Sequence, residues 1–192
     1  MYQNRDNKLE VISLFRGNYK ARFYLREISR LSKLSLKTCQ NVLLILEKAK
    51  ILKSKIEGKN KYFSLNLENI KTKLYLLQSE IYQTSLFIEK YSQFKMFLKS
   101  LQTSVPIIVF GSFAKLIADK NSDLDLLIVS EKKLKLSFYL LPFKPHQIKI
   151  SEKTFLKAIK EQENLIKEIE ENHVILNNHS FYINIMWGQY GK

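Results

Sequence analysis

Residues 105–129, VPIIVFGSFAKLIADKNSDLDLLIV, limit what this chain can fold into more than any other stretch. Two short apolar runs, IIVF and LLIV, bracket a Gly-Ser pair and, ten residues further on, an Asp-Leu-Asp triplet. Short β-branched runs bounded by Pro, Gly, Asn and Ser read as buried strands. Between them FAKLIAD reads as a short helix and Asn121-Ser122 as a turn. Alternate side chains on a strand share a face, so Asp123 and Asp125 point one way while Leu124 and Leu126 point the other. Two carboxylates side by side repel each other and lose solvation. A divalent cation removes that conflict, and hard carboxylate oxygens suit Mg2+. Gly111 offers backbone without a Cβ, where a phosphate can approach closely. Ser112 adds a hydroxyl and a backbone N–H at a helix start, where anions are attracted. Gly-Ser after a strand and Asn-Ser-Asp in a turn are each common; only the joint spacing carries the argument.

That joint pattern, Gly111-Ser112, ten residues, then Asp123-x-Asp125, resembles the signature of the DNA polymerase beta nucleotidyltransferase superfamily. Residues 105–129 look like its minimal nucleotidyltransferase branch, and KISEKTFLKAIKEQENLIKEIEENHVILNN is similar to the closing helices and short strand of that family. The resemblance spans about residues 85–185. It implies that Gly111 and Ser112 hold the triphosphate of a bound NTP, with Lys115 neutralising phosphate charge. Asp123 and Asp125 become the catalytic pair, coordinating one or two Mg2+ ions that align a nucleophile on the α-phosphate and stabilise the pyrophosphate leaving group. The implied reaction transfers a nucleoside monophosphate, AMP from ATP first in line, to an acceptor. In minimal members the acceptor is often a protein, and some members are antitoxins that modify a toxin partner. Two features depart from the family. The usual third carboxylate is missing: HQIKIS, residues 146–151, has no acid, Gln147, Lys149 and Ser151 alternate along one face, and Glu152 lies just beyond. The sequence leaves open which face Lys149 takes. Leu116 stands where the family often has Gly, so a tighter or differently shaped phosphate loop is expected.

Composition sets the outer limits. A chain of 192 residues with 45% hydrophobic content is long enough for one large domain or two small ones with a real core. No apolar run reaches the length of a membrane span and no signal-peptide core is evident, so a cytoplasmic protein without a membrane partner is expected. One cysteine excludes an internal disulfide framework. His146, His173 and His179 have no zinc-ligand spacing and read as ordinary surface or core residues. The charge is uneven: residues 1–70 carry 15 Lys and Arg against 6 Asp and Glu, which places +9 of the formal net charge of +14 there. A polyanion partner, nucleic acid first, follows from that bias. A lysine-rich composition that merely confers solubility is the plain alternative.

The basic segment has a pattern of its own. An apolar series over residues 8–16 predicts a short buried helix. Leu25, Ile28 and Leu31 recur at helical spacing, Ser32-Lys33-Leu34 interrupts, and Ser35 is placed to cap a second helix whose Cys39, Val42, Leu43 and Leu46 face inward. ILKSKI and KYFSLN then read as a hairpin around Glu57-Gly58-Lys59-Asn60. The order resembles a prokaryotic winged helix-turn-helix over residues 5–67. Double-stranded DNA is the implied partner, with Lys33, Ser35, Lys37, Thr38 and Asn41 near the start of the recognition helix and Lys53, Lys55, Lys59 and Lys61 along the wing.

Residues 68–101 contain no Gly or Pro. Leu74, Leu77 and Ile81, then Phe87, Ile88, Tyr91, Phe94 and Leu98, predict one long helix or two successive ones, with a core or homodimer contact. The fold class is therefore α/β in the wider α+β sense. A winged helix-turn-helix over 1–69 is followed by a helical connector over 70–101 and a small mixed-sheet polymerase-beta-like nucleotidyltransferase domain over 102–192. Two functions compete: an NTP-dependent nucleotidyltransferase, or a DNA-binding regulator or antitoxin-like partner whose transferase domain senses nucleotide or is silent.

Overall fold

A computed structural model of the chain describes residues 6–132 and 134–191. Residues 1–5, which the sequence assigns to the first domain, lie outside the described residues. Two units are distinguished, Met1–Ser79 with Met186–Lys192, and Glu80–Ile185.

In the first unit, α1 (Asn7–Ser13) is capped by the Asp6 carboxylate, which accepts from the Lys8 and Leu9 amides. It stops short of Arg16 because the Leu14, Phe15 and Arg16 amides turn back to the carbonyls three residues earlier, tightening the chain. After β1 (Phe23–Tyr24), α2 (Leu25–Ser32) ends at Lys33, whose φ of 57° leaves the helical region. Ser35 caps α3 (Leu36–Lys48), its hydroxyl oxygen accepting from the Thr38 amide at 3.1 Å. Such a cap contributes about 1 kcal/mol. Cys39, Val42, Leu43 and Leu46 form the buried face of α3. On α2 Ile28 is buried but Leu31 is largely exposed, so helical spacing alone overstated that face.

β2 (Leu52–Glu57) and β3 (Asn60–Leu65) pair antiparallel from Leu52↔Leu65 to Glu57↔Asn60, and β1 adds to the other edge of β3. Gly58 takes φ of 60°, as the first position of this two-residue turn demands. The pleat splits the hairpin lysines. Lys53 and Lys55 share the face of their partners Ser64 and Tyr62, whereas Lys61 lies opposite Ile56 on the other. Lys61 also bonds Glu47 of α3 at 2.8 Å, and the Ser54 hydroxyl donates to the same carboxylate. The Lys61 bond first, and the Ser54 bond second, hold the Glu47 carboxyl below the usual carboxylate range. The four lysines are therefore not one row.

The Gly- and Pro-free stretch forms two helices, α4 (Ile70–Lys90) and α5 (Phe94–Ser100). The expected inward series on α4 needs correction: Leu74 and Ile81 are 53% and 49% exposed, while Thr72, Leu76, Ser79, Glu80, Thr84 and Phe87 are buried. Polar partners choose that face. The Thr72 hydroxyl bonds the Ile51 carbonyl at 3.2 Å, the Thr84 hydroxyl lies 2.8 Å from the Ile175 carbonyl, and Glu80 meets His173 at 3.1 Å.

The second unit mixes helices with a small mixed sheet. In chain order come β4 (Ile107–Val109), α6 (Gly111–Ala114), β5 (Leu124–Val129), β6 (Pro145–Ile150), α7 (Glu152–Glu161), α8 (Asn164–Glu171), β7 (Val174–Asn177) and the first part of α9 (His179–Tyr190). The strand order is β6-β5-β4-β7, with β5 and β6 parallel and the other pairs antiparallel. Ile107, Val109, Leu124, Leu126, Val174 and Leu176 pack with the rings of Phe87, Tyr91, Phe94, Phe97 and Phe113. Ile108, Leu127 and Ile175, on the opposite face by register, are fully buried too. Apolar runs without alternation are what a strand covered on both faces needs. Among the described residues no helix is long and apolar enough to cross a membrane.

Candidate active site

The end of β4 is tied to the start of β5. The Phe110 amide donates to the Asp125 carbonyl at 3.1 Å, which brings the following Gly-Ser turn against the Asp125 side chain. Gly111 is buried with φ of 66°, and a Cβ on it would lie 2.5 Å from Asp125 Oδ2. Two requirements thus converge on glycine: the left-handed backbone and the absence of any side-chain atom. Ser112 is half-buried beside it and Lys115 is exposed. The turn closes with the Lys115 amide on the Gly111 carbonyl at 3.2 Å and the Leu116 amide on the Phe113 carbonyl at 3.0 Å.

Leu116 adopts φ of 58°, the conformation a glycine would take freely. The loop therefore keeps a left-handed turn at Leu116. For a leucine that conformation costs about 1–2 kcal/mol. Packing of its side chain against the aromatic core and a bond from Lys90 Nζ to its carbonyl oppose that cost.

The approach to β5 is shaped by Asp119. Its carboxylate accepts from the Asn121 amide at 2.9 Å and the Ser122 hydroxyl at 3.1 Å, and these bonds, the Asn121 amide foremost, hold its carboxyl below the usual range. This turn delivers Asp123, exposed, just ahead of β5, and Asp125, about three-tenths exposed, within it. Leu124 and Leu126 point into the core, so Asp125 between them lies on the opposite face, while Asp123 immediately precedes the strand.

The next strand supplies a residue that the sequence treats as ordinary. The parallel register sets His146 beside Asp125, and His146 Nδ1 lies 3.0 Å from Asp125 Oδ1. Neighbours in register share a face, so His146 stands with Asp125. Gln147 and Lys149 pair with Leu126 and Ile128 and occupy the other face. Lys149 is therefore directed away from Asp125. Glu152 opens α7 beyond the far end of β6, behind its Ser151 cap. An imidazole, not a carboxylate, occupies the place next to Asp125. The same period of two that pairs Asp123 with Asp125 could have flagged it, since His146, Ile148 and Ile150 are the alternative face of HQIKIS.

Among the described residues no three His, Cys, Asp or Glu side chains are grouped as metal ligands. What is present is a partial set. Oxygen donors from Asp123 and Asp125 suit a hard divalent cation, which ordinarily keeps water and substrate phosphate as its other ligands. The closeness of Gly111 to Asp125 leaves backbone, not a side chain, facing that point.

The expected nucleic-acid contacts in the first unit are dispersed. Lys37 and Asn41 are exposed on α3, Lys33 is exposed at the end of α2, and Ser35 and Thr38 bond each other at 2.9 Å in the cap. Lys53, Lys55 and Lys59 are exposed, with Lys55 3.3 Å from Glu57. A groove of about 790 Å³ has Gln40 and Leu44 of α3, Arg26, and Lys59, Asn60 and Lys61 of the hairpin along its walls. Leu44 and Ile45 are more than half exposed, so this helix face is part apolar.

Residues 91–178 match a family model described as a nucleotidyltransferase domain. The match takes in the Gly-Ser turn, both aspartates and His146, and it supports nucleotidyl transfer as the general chemistry of this segment. No curated protein and no solved structure matches the chain.

Proposed function

We propose that the second unit transfers a nucleoside monophosphate from an NTP, ATP first in line, to an acceptor, and that the acceptor is a protein. The observation that carries this reading is the packing of Gly111 against Asp125, which sets the Gly-Ser turn directly beside one of the two carboxylates. Asp123 and Asp125 would hold a divalent ion. When bound, that ion supplies charge neutralisation at the α-phosphate and at the departing pyrophosphate. Gly111 admits the phosphates close to the chain. The Ser112 hydroxyl donates to a phosphate oxygen, and Lys115 offsets the remaining negative charge. Burial of Leu124 and Leu126 holds the strand so that Asp125 stays on the opposite side.

Calorimetry of ATP binding with and without Mg2+ tests this reading. Wild type is expected to bind ATP in a Mg2+-dependent manner, and Asp123→Ala/Asp125→Ala is expected to lose at least about tenfold in affinity. Affinity unchanged in the double variant would remove the carboxylates from the site. Label transfer from α-labelled ATP to a co-purified protein then identifies the acceptor.

A second reading concerns the first unit. The order α1, α2, α3 and hairpin, with Ser35 capping the helix after the turn, supports a winged helix-turn-helix that binds double-stranded DNA. The +9 bias and the exposed Lys37 and Asn41 favour it. The split of the lysines makes it specific. Lys59, at the hairpin turn, meets phosphate, whereas Lys61 chiefly ties the hairpin to α3 through Glu47. Lys59→Ala is expected to lower the slope of log K against log salt by about one. Lys61→Ala is expected to leave most of that slope and reduce stability instead. Equal slopes for wild type and Lys59→Ala would take the hairpin turn out of the contact.

A further inference from the structure

We propose that His146 is itself a ligand to the divalent ion, and that the site prefers Mn2+, an ion that accepts imidazole nitrogen, over Mg2+. This rests on the reading of Asp123 and Asp125 as metal-holding residues and adds a third donor in place of the missing carboxylate. Three observations support it. First, β5 and β6 run parallel with Asp125 and His146 in register, so His146 occupies the strand position beside Asp125, on the same face. Second, Nδ1 of His146 and Oδ1 of Asp125 are 3.0 Å apart. Without an ion this contact is a hydrogen bond; about 3.0 Å is also the separation of adjacent donors on an octahedral ion with bonds of about 2.1 Å, so little movement separates the two arrangements. Third, Lys149 lies in register with Ile128 on the opposite face, so its ammonium does not stand beside Asp125.

The consequence is a change of ion. Mg2+ favours an all-oxygen shell and releases water reluctantly, whereas imidazole raises the affinity of later divalent metals, with Mn2+ the first that accepts both donor types. Asp125 and His146 would supply two of the donors. Asp123, nucleotide phosphate and water are left for the others. His146 is about two-thirds exposed, so its replacement leaves the core untouched.

The test uses the full chain, uniformly labelled with nitrogen-15, in complex with a non-hydrolysable ATP analogue of natural abundance. Mn2+ is titrated by electron paramagnetic resonance and the bound ion is examined for coupling to protein nitrogen; Mg2+ is then measured by competition. Wild type is expected to show nitrogen-15 coupling and to bind Mn2+ at least about tenfold more tightly than Mg2+. His146→Ala should lose the coupling and about tenfold or more in Mn2+ affinity, with a much smaller effect on Mg2+. His146→Asp, which restores a third carboxylate, should narrow or reverse the preference. Mn2+ bound without protein-nitrogen coupling and with equal affinity in His146→Ala would overturn the inference while leaving the two carboxylates as the site. Binding that survives in Asp123→Ala/Asp125→Ala, or no Mn2+ binding in wild type, would remove the underlying reading as well.

Discussion

Glu80→Leu is expected to destabilise the second unit by about 3–5 kcal/mol, the range for breaking a fully buried charged or proton-sharing pair by removing one partner. The Glu80 and His173 side chains are 0% and 1% exposed. His173 Nδ1 is 2.7 Å from the Ile169 carbonyl and must donate to it, which turns Nε2 toward both oxygens of Glu80, at 3.1 and 3.2 Å. A bare Nε2 against an ionised carboxylate would place two acceptors face to face, so the pair holds a proton between its partners. Removing the carboxyl takes from Nε2 of a buried imidazole the partner it faces. Glu80→Leu/His173→Leu is expected to recover a substantial part of the loss, since both buried polar groups are then gone. Recovery falls short of complete because the His173 ring also packs on Tyr182, with centroids 4.5 Å apart. Urea denaturation of the full chain gives the four corners of the cycle. A single Glu80→Leu variant within about 1 kcal/mol of wild type would show that the pair does not hold the unit together.

Gly111→Ala is expected to lower stability by about 2–3 kcal/mol and to abolish nucleotide binding together. Alanine at φ of 66° carries the left-handed penalty of about 1–2 kcal/mol. Its methyl would also lie 2.5 Å from Asp125 Oδ2, a distance no packed pair adopts. Relief comes by rotating the carboxylate, which gives up its contact with His146, about 1 kcal/mol for a hydrogen bond. A small stability loss is thus coupled to a displaced Asp125. Thermal unfolding and calorimetric titration with ATP and Mg2+ measure the two effects on one preparation. A variant that is destabilised yet binds ATP as wild type does would separate the fold requirement at Gly111 from the site. Leu116→Gly is the useful contrast, because φ of 58° already suits glycine there and only side-chain packing is lost.

Some of this was legible because it is local. Ser35 as a cap and the Cys39, Val42, Leu43, Leu46 stripe depend only on residues within a few positions of each other, as does the tight turn at Gly58. The burial of Leu124 and Leu126 on one side of β5, which puts Asp125 on the other, follows from strand periodicity alone. Other features needed more than periodicity. On α4, Leu74 and Ile81 look like core residues by spacing, yet the helix buries Glu80 and Thr84 instead, because hydrogen-bond partners some 90 residues away lie on that side. On the hairpin, four lysines at alternating and turn positions look like one basic row, but the pleat and Glu47 divide them.

The sequence by itself determined the chemistry of the Gly-Ser and Asp-Leu-Asp segment, since glycine backbone, serine hydroxyl and closely spaced carboxylates are properties of residue type and short-range geometry. Only the tertiary structure decided which residue joins them. HQIKIS offers two faces of nearly equal composition value, and a shift of one residue in the parallel register would have turned Lys149 and Gln147 toward Asp125 in place of His146. That register is held by the pairing of Leu124 with Pro145 through Val129 with Ile150 and by burial of the β5 leucines. The physical reason is that sheet register is set by packing between segments about twenty residues apart, whereas the alternation within each strand is set by the backbone alone.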